Sequence, residues 1–383
     1  MQTFSGDRIF LGIVAILTFG GIAIFSSATL GLLARANVNI AHIAFTQIVF
    51  GLGGGGIAFV FFRMVPLVWF RRAAPWLFGA SLFLILLVFI PGIGIHAYGA
   101  TRWLNLRFIT LQPSEFLKIG VVLFVGWFLT RNVHFLSDWR RGLVPFLIIV
   151  GVPSLILLHQ PNTSTMFLIG FTTVAMYFAA GAPGRDLLII GALGIITIGI
   201  VLLVRPYALQ RVTTLFGWNA NTLGSGYQIN QSMIAIGAGG IVGRGFGESV
   251  QKFNYLPNPE GDSVFSVFAE EFGFIGTLTL IALFFALAAR GITIAGKAPD
   301  RFSGLTALGF SWLLAFQAFV NIGAMLGVVP LTGLPLPFIS HGGTALLVAL
   351  GEAGFILNVA AHRRNSSAPT RLIHSIFGVQ KST

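Results

Sequence analysis

Residues 227–276 read YQINQSMIAIGAGGIVGRGFGESVQKFNYLPNPEGDSVFSVFAEEFGFIG. The stretch opens polar, turns glycine-rich, and then carries the basic Lys252 and an acidic run that ends at Asp262. An apolar helical segment bearing Glu270 and Glu271 follows at once. On both sides the chain reads as membrane helix, so this stretch is the polar wall of something otherwise embedded in lipid.

Composition points the same way. Of 383 residues, 55% are hydrophobic and 9% are charged, and the mean hydropathy is +0.88. A soluble domain carries roughly 25% charged residues, so most of this chain is expected to be buried in a medium other than its own core. Cysteine is absent, which excludes a disulfide framework, a thiolate metal site and a cysteine nucleophile. The first apolar run lacks a small-residue cleavage signature and is read as a retained span. The net charge of +12 suits anionic lipid or an anionic substrate, and nucleic acid is not expected as a partner. Basic residues anchoring cytoplasmic loops account for most of that charge.

Working outward from residues 227–276, apolar runs fall near 9–28, 43–62, 74–94, 112–130, 142–158, 163–180, 186–204, 264–289, 303–328 and 340–361. A hydrocarbon core of about 30 Å needs roughly 20 apolar residues per helix, so the pattern predicts an all-α polytopic membrane protein of about ten spans. Pro75 and Pro145 sit near span starts, and Pro91, Pro183 and Pro330 at ends or in loops. With a cytoplasmic N-terminus, 15 of the 23 lysines and arginines fall in inner segments, seven in outer ones, and Lys118 within a span. That asymmetry puts both termini inside. It makes residues 1–8 a short cytoplasmic start, 9–361 one transmembrane domain, and 362–383 a basic cytoplasmic tail. The long 205–263 loop between spans seven and eight then lies outside, with the 95–111 loop. A connection of that length is too long to be a mere link, and its YQINQSMIAIGAGG part is apolar enough for a helix on or in the membrane.

Ionisable groups at membrane depth are costly, and each is a functional candidate. Glu115 and Lys118 open the fourth span in LQPSEFLKIG. Three residues apart, they share one helix face. A self-neutralising ion pair explains them as well as a site does. Just upstream, GATRWLNLRF adds Arg102 and Arg107, and together these would make a basic funnel suited to phosphate. The second cluster is Lys252, Glu260, Asp262, Glu270 and Glu271. Asp262 precedes a helix, so a cap and a catalytic carboxylate are both open readings. Glu270 and Glu271 lie about two turns further on and point in different directions. The glycines of GAGGIVGRGFG match neither phosphate-loop spacing, and no strand precedes them. GLGGGG at 51–56 lies inside a span and is read as helix packing. The histidines, His159 and His341 among them, are too scattered for a metal site.

With these segments in hand, the chain resembles the SEDS family (shape, elongation, division and sporulation), typified by FtsW and RodA. The resemblance rests on RWLNLRFITLQPSEFLKIG at 102–120, HQPNTSTMF at 159–167, QSMIAIGAGGIVGRGFGESVQKFNYLP at 231–257, DSVFSVFAEEFGFIG at 262–276 and LPLPFISHGGTALL at 334–347. GESVQKFNYLP is closer to the FtsW branch. The resemblance implies a peptidoglycan glycosyltransferase that polymerises lipid II at the outer face of a bacterial cytoplasmic membrane, in septal synthesis or in RodA-like elongation. It implies a class B penicillin-binding protein and other division proteins as partners. It carries the family's essential aspartate onto Asp262, its acidic and basic pair onto Glu115 and Lys118, and its RW arginine onto Arg102. Arg244 and Lys252 are added here as pyrophosphate-binding candidates, with Gln231, Glu270 and Glu271 in support. Three departures stand out: PEAHTDF reads PNPEGDSVF, KQPD reads HQPN with His159 and Asn162, and SYGG reads SHGG with His341.

The implied reaction asks for a base and for charge stabilisation on a lipid pyrophosphate, to which a divalent cation (Mg or Mn) could contribute; no protein metal cage is expected. A lipid II flippase would use the same cavity but spread its ionisable groups through the membrane depth. A non-catalytic scaffold would have no need of intramembrane charge.

Overall fold

The computed structural model describes residues 7–34, 40–97, 100–105, 109–215 and 225–362. Arg35, Arg107 and the basic tail beyond His362 lie outside the described residues, as do residues 1–6. The helices, in order, are α1 (Arg8–Leu30), α2 (Ile40–Phe45), α3 (Gly55–Met64), α4 (Leu67–Leu86), α5 (Pro113–Arg131), α6 (Leu143–His159), α7 (Thr163–Ala179), α8 (Gly184–Val204), α9 (Pro206–Leu215), α10 (Ser225–Ala238), α11 (Val264–Gly296), α12 (Arg301–Met325) and α13 (Gly343–Ala361). Eight helices among the described residues are long and apolar enough to cross a membrane. The shorter apolar helices α6 and α7 stand where the fifth and sixth spans were expected.

Boundaries differ from the sequence reading in instructive ways. α4 begins at Leu67, so Arg71 and Arg72 lie inside it and Pro75 is taken up in its interior. A π-helical stretch, Thr46–Gly54, joins α2 to α3. Its glycines let the chain press on α13: a β-carbon at Gly51 would stand 3.2 Å from Gly343, and Gly55 meets Leu347 and Leu350. The packing reading of GLGGGG therefore holds, for the reason that small residues allow close helix approach. The helical fold also carries a small antiparallel sheet that periodicity did not reveal. Its strands β1 (Gly94–Ala97), β2 (Ala100–Asn105) and β3 (Thr110–Leu111) run in the order β1-β2-β3.

Burial separates the centre from the rim. The most apolar windows of α5, α12 and α13 are 78%, 78% and 83% buried, against 6% for α8. The central three helices thus carry polar groups away from lipid, whereas α8 presents leucine and isoleucine on nearly every side. Caps fix the helix starts at one end of the bundle: Asp7 accepts from Phe10 N, and Asp300 from Ser303 N and Oγ. Asp7 also pairs with Arg290 at 2.8 Å, tying the start of α1 to the far end of α11. Arg301 reaches the Ala180 carbonyl and Arg185 the Ser137 carbonyl. These segments are the ones the charge count assigned to the inner face.

Candidate active site

α11 carries the site, and it is broken. Gly273 adopts φ 65° and ψ −163° within the helix, which releases backbone groups on both sides. The glycine-rich loop takes them up. Arg244 N and Gly245 N donate to the Glu270 and Glu271 carbonyls at 3.0 Å each. Phe274 N and Ile275 N donate to the Gly240 and Ile241 carbonyls at 2.9 and 3.1 Å. At membrane depth such groups must find protein partners. The approach leaves no room for side chains: a β-carbon on Gly239 would run into the Ala269 carbonyl, and one on Gly243 into that of Glu271. Gly243 also holds φ 85°, a conformation open chiefly to glycine. GAGGIVGRGFG is therefore a backbone splint for a broken helix.

Glu270 and Glu271 diverge as their spacing required. Glu270 accepts from Ser249 Oγ at 2.6 Å and from the Val250 and Gln251 amides at 3.1 and 3.2 Å, with Arg244 Nε at 3.5 Å. Glu271 accepts from Ser27 Oγ at 2.5 Å and from Lys252 Nζ at 2.9 Å. Lys252 is fully buried and also donates to Ser27 Oγ and to the Gly247 carbonyl. All three of its ammonium donors are engaged. The structure thus places Lys252, Glu270 and Glu271 together as a clamp on the 247–252 loop, and Arg244 at the clamp's half-exposed edge.

Asp262 sits nine residues before Glu271, on a separate ledge just ahead of α11. Asn321 of α12 donates to its carbonyl and to that of Leu334, both at 2.8 Å. The side chain is left to the site. Oδ2 accepts from Gln228 Nε2 at 3.2 Å, while Oδ1 is buried and makes no hydrogen bond. Gln228 also holds Ser263 Oγ at 2.9 Å. Across from the carboxylate lies Gly333, whose β-carbon would stand 3.9 Å from Oδ2. Arg211 of α9 binds the Leu331 carbonyl at 2.8 Å and brings positive charge towards Asp262. Loss of water raises the Asp262 pKa above the ordinary carboxylate value, against the lowering effects of the Gln228 hydrogen bond, its own backbone amide, the Arg211 charge and the nearby Asn258 side chain.

The expected funnel residues divide. Arg102 donates to the Pro161 carbonyl, at the HQPN segment. In that segment Asn162 donates to Ser114 Oγ at 3.3 Å, whereas the His159 ring packs on Phe89. Glu115 and Lys118 form an ion pair at 2.7 Å, each 2% exposed. Lys118 also donates to Gln317 Oε1 at 2.8 Å, and Gln317 holds the Pro335 carbonyl at 2.8 Å. The pair therefore neutralises itself, and through Gln317 it supports the loop at Pro335, next to Leu334 and the Asn321 link to Asp262. Gln231 is half-buried on α10, but Gln228, three residues earlier, is the side chain that reaches the carboxylate. His341 accepts the place expected for tyrosine by stacking on Phe25 at 5.8 Å, with Thr46 Oγ1 3.3 Å from Nε2.

Sequence reasoning passed over Gln228, Arg211, Asn321 and Glu352. Glu352 carried a clear signal, a carboxylate in the middle of the last span. Among the described residues no three histidine, aspartate or glutamate side chains gather to hold a metal. A divalent ion at Asp262 would take most of its ligands from phosphate and water.

A sequence family described as a cell cycle protein, FTSW_RODA_SPOVE, matches residues 7–365. Stage V sporulation protein E of Bacillus subtilis (strain 168) is 36% identical over 349 residues, 91% of this chain and 95% of that protein. The "Probable peptidoglycan glycosyltransferase FtsW" of Trichlorobacter lovleyi is 37% identical over 357 residues, 93% of each chain. Two solved structures share the architecture. One, described as structural coordination of polymerization and crosslinking by a peptidoglycan synthase complex, has a TM-score of 0.76 at 28% identity, covering 94% of this chain and 99% of its own. The other, Thermus thermophilus rod shape determining protein RodA, has a TM-score of 0.67 at 26% identity, covering 94% and 98%.

Proposed function

The chain belongs to the FtsW, RodA and SpoVE family of cell cycle proteins, and from that premise we propose that it is a peptidoglycan glycosyltransferase acting on lipid II. The observation that carries the mechanism is the Asp262 carboxylate: held by its backbone, raised in basicity, with one oxygen bonded to no donor.

Chain growth joins the 4-hydroxyl of one sugar to the anomeric carbon of the next. Asp262 takes the hydroxyl proton as the new carbon–oxygen bond forms, and the bond to the lipid pyrophosphate breaks with its electron pair leaving on phosphate. A positioned base is typically worth 10²–10⁴-fold. A basicity nearer neutrality suits the role, because proton transfer is most efficient when the pKa lies near the working pH. The α-linked donor and β-linked product call for a single inverting displacement. Arg211, whose charge reaches Asp262, and Arg102, held at the Pro161 carbonyl, are the cations assigned here to the departing charge. Arg244, half-exposed at the clamp, is a second-line phosphate contact. Lys252 holds the 247–252 loop and through it the start of α11.

Asp262 stands just ahead of α11, whereas Arg290, paired with Asp7, lies near the far end of that helix; with the basic segments inside, this reading puts Asp262 at the outer face of a bacterial cytoplasmic membrane. The relative named as a peptidoglycan glycosyltransferase FtsW supports a role in septal synthesis. The solved synthase complex that couples polymerization to crosslinking supports a crosslinking partner, a class B penicillin-binding protein, among the division proteins. Purified protein with that partner, given labelled lipid II, is expected to make glycan polymer, and Asp262→Asn to make none. Polymer formed undiminished by Asp262→Asn would remove the base role. Head-group movement across vesicles that survives Asp262→Asn, without polymer from either protein, would favour a flippase.

A further inference from the structure

A small polar cavity lies inside the bundle, lined by Glu115 and Lys118 of α5, Leu314 and Gln317 of α12, and Glu352 of α13. It has room for about one water molecule. Three ionisable groups meet there with a single cation. Lys118 is committed: Glu115 stands 2.7 Å away and Gln317 Oε1 2.8 Å away. Glu352 is 1% exposed, and its Oε1 is buried with no hydrogen-bond partner. Were all three groups charged, the cavity would hold one uncompensated negative charge in a medium of low dielectric. Buried groups in that position take up a proton instead.

We infer that Glu352 is a proton-binding site in the membrane interior, holding one proton at neutral pH and turning its carboxyl towards the cavity, where a single water links it to the Glu115–Lys118 pair. The proton resides on Glu352 and not on Glu115 because Lys118 directly contacts Glu115, whereas no donor reaches Glu352 Oε1. α12 offers the neutral Gln317. The basic residue of α3, Arg63, lies near the level of Asn358, which donates to the Phe62 and Val65 carbonyls. That level is six residues, or about 9 Å, along α13 from Glu352. A neutral Glu352 leaves Lys118 to Glu115 and Gln317, and so leaves the Gln317 hold on Pro335 intact. An ionised Glu352 would compete for the same ammonium.

The test does not depend on the proposed glycosyltransferase activity. Infrared spectra of the full-length protein in nanodiscs at neutral pH are expected to show a protonated-carboxyl stretch. The band should shift when glutamate carboxyl carbons are isotopically labelled and stay in place when aspartate is labelled. It should vanish in Glu352→Gln and persist in Asp262→Asn. A parent spectrum lacking the band, a band that answers to aspartate labelling alone, or one that survives in Glu352→Gln would each overturn the assignment. The labelling arm reads the parent protein, so an absent band, or one that answers to aspartate labelling alone, overturns the assignment even if Glu352→Gln fails to fold.

Discussion

Lys252 and Glu271 form an ion pair at 2.9 Å in which neither side chain is exposed. Ser27 of α1 touches both partners, so the pair joins the first helix, the glycine-rich loop and the broken helix in one buried network. Removing one member of such a pair strands the other charge, at about 3–5 kcal/mol. Lys252→Met is therefore expected to lower thermal stability sharply in detergent. The Lys252→Met, Glu271→Leu double variant should recover a good part of the loss. A Lys252→Met protein as stable as the parent, but weakened in lipid II binding, would return this lysine to the phosphate.

Asp262 couples activity to stability. Its folded-state pKa lies above the unfolded value because burial disfavours the charged form. A group raised in this way contributes stability below its unfolded pKa, ~3.9 for aspartate, and that contribution is lost as pH rises through the folded pKa. At neutral pH the ionised carboxylate thus opposes folding. Asp262→Asn should be more heat-stable than the parent at neutral pH, with the gain disappearing in acid. The parent's polymerisation rate should fall on its acid limb at a pH above the usual carboxylate range. Unfolding curves and rates taken across pH check both.

The glycine splint predicts a sharp contrast between neighbours. Gly243→Ala meets the Glu271 carbonyl and must hold a positive φ, a strain of about 1–3 kcal/mol before any displacement of the loop. Gly237→Ala meets nothing within 4 Å and lies inside α10, where alanine gains about 0.5–1 kcal/mol over glycine. Thermal unfolding of the two variants should move in opposite directions.

His341 has its pKa pushed down to about 4 by burial, with the His42 charge adding to the effect. A depressed histidine contributes stability above its unfolded pKa, ~6.5, and loses it as pH falls towards the folded value. Between those limits the protein should soften in a way that His341→Tyr does not. The ring resonances of His341 should show no titration until the pH approaches that lower limit.

The apolar runs and the basic loops made the helical membrane architecture legible, because hydrocarbon imposes its length rule on local sequence alone. Asp262, Glu115, Lys118 and Arg102 could be singled out for the same reason: charge is rare in such a chain. Their roles were not readable in that way. Lys252 was singled out as a pyrophosphate-binding candidate, and only the fold showed a serine from α1, more than two hundred residues away, accepting from its ammonium. Gln231 was the glutamine singled out, and only the register of α10 showed that Gln228, three residues earlier, reaches the carboxylate. The small sheet at 94–111 escaped notice because its strands are two to six residues long and too short for periodicity to declare.

Sequence alone determined that this chain lives in lipid, which ends of its helices gather basic residues, and which few ionisable groups must have work to do. Each of those follows from the energy of moving one side chain between water and hydrocarbon. Only tertiary structure decided which carboxylate stands on a ledge with an oxygen to spare, which is spent on a lysine, and which is left alone in a cavity. Those outcomes depend on partners brought from distant helices, and a pairing across the fold leaves no mark on the local run of residues.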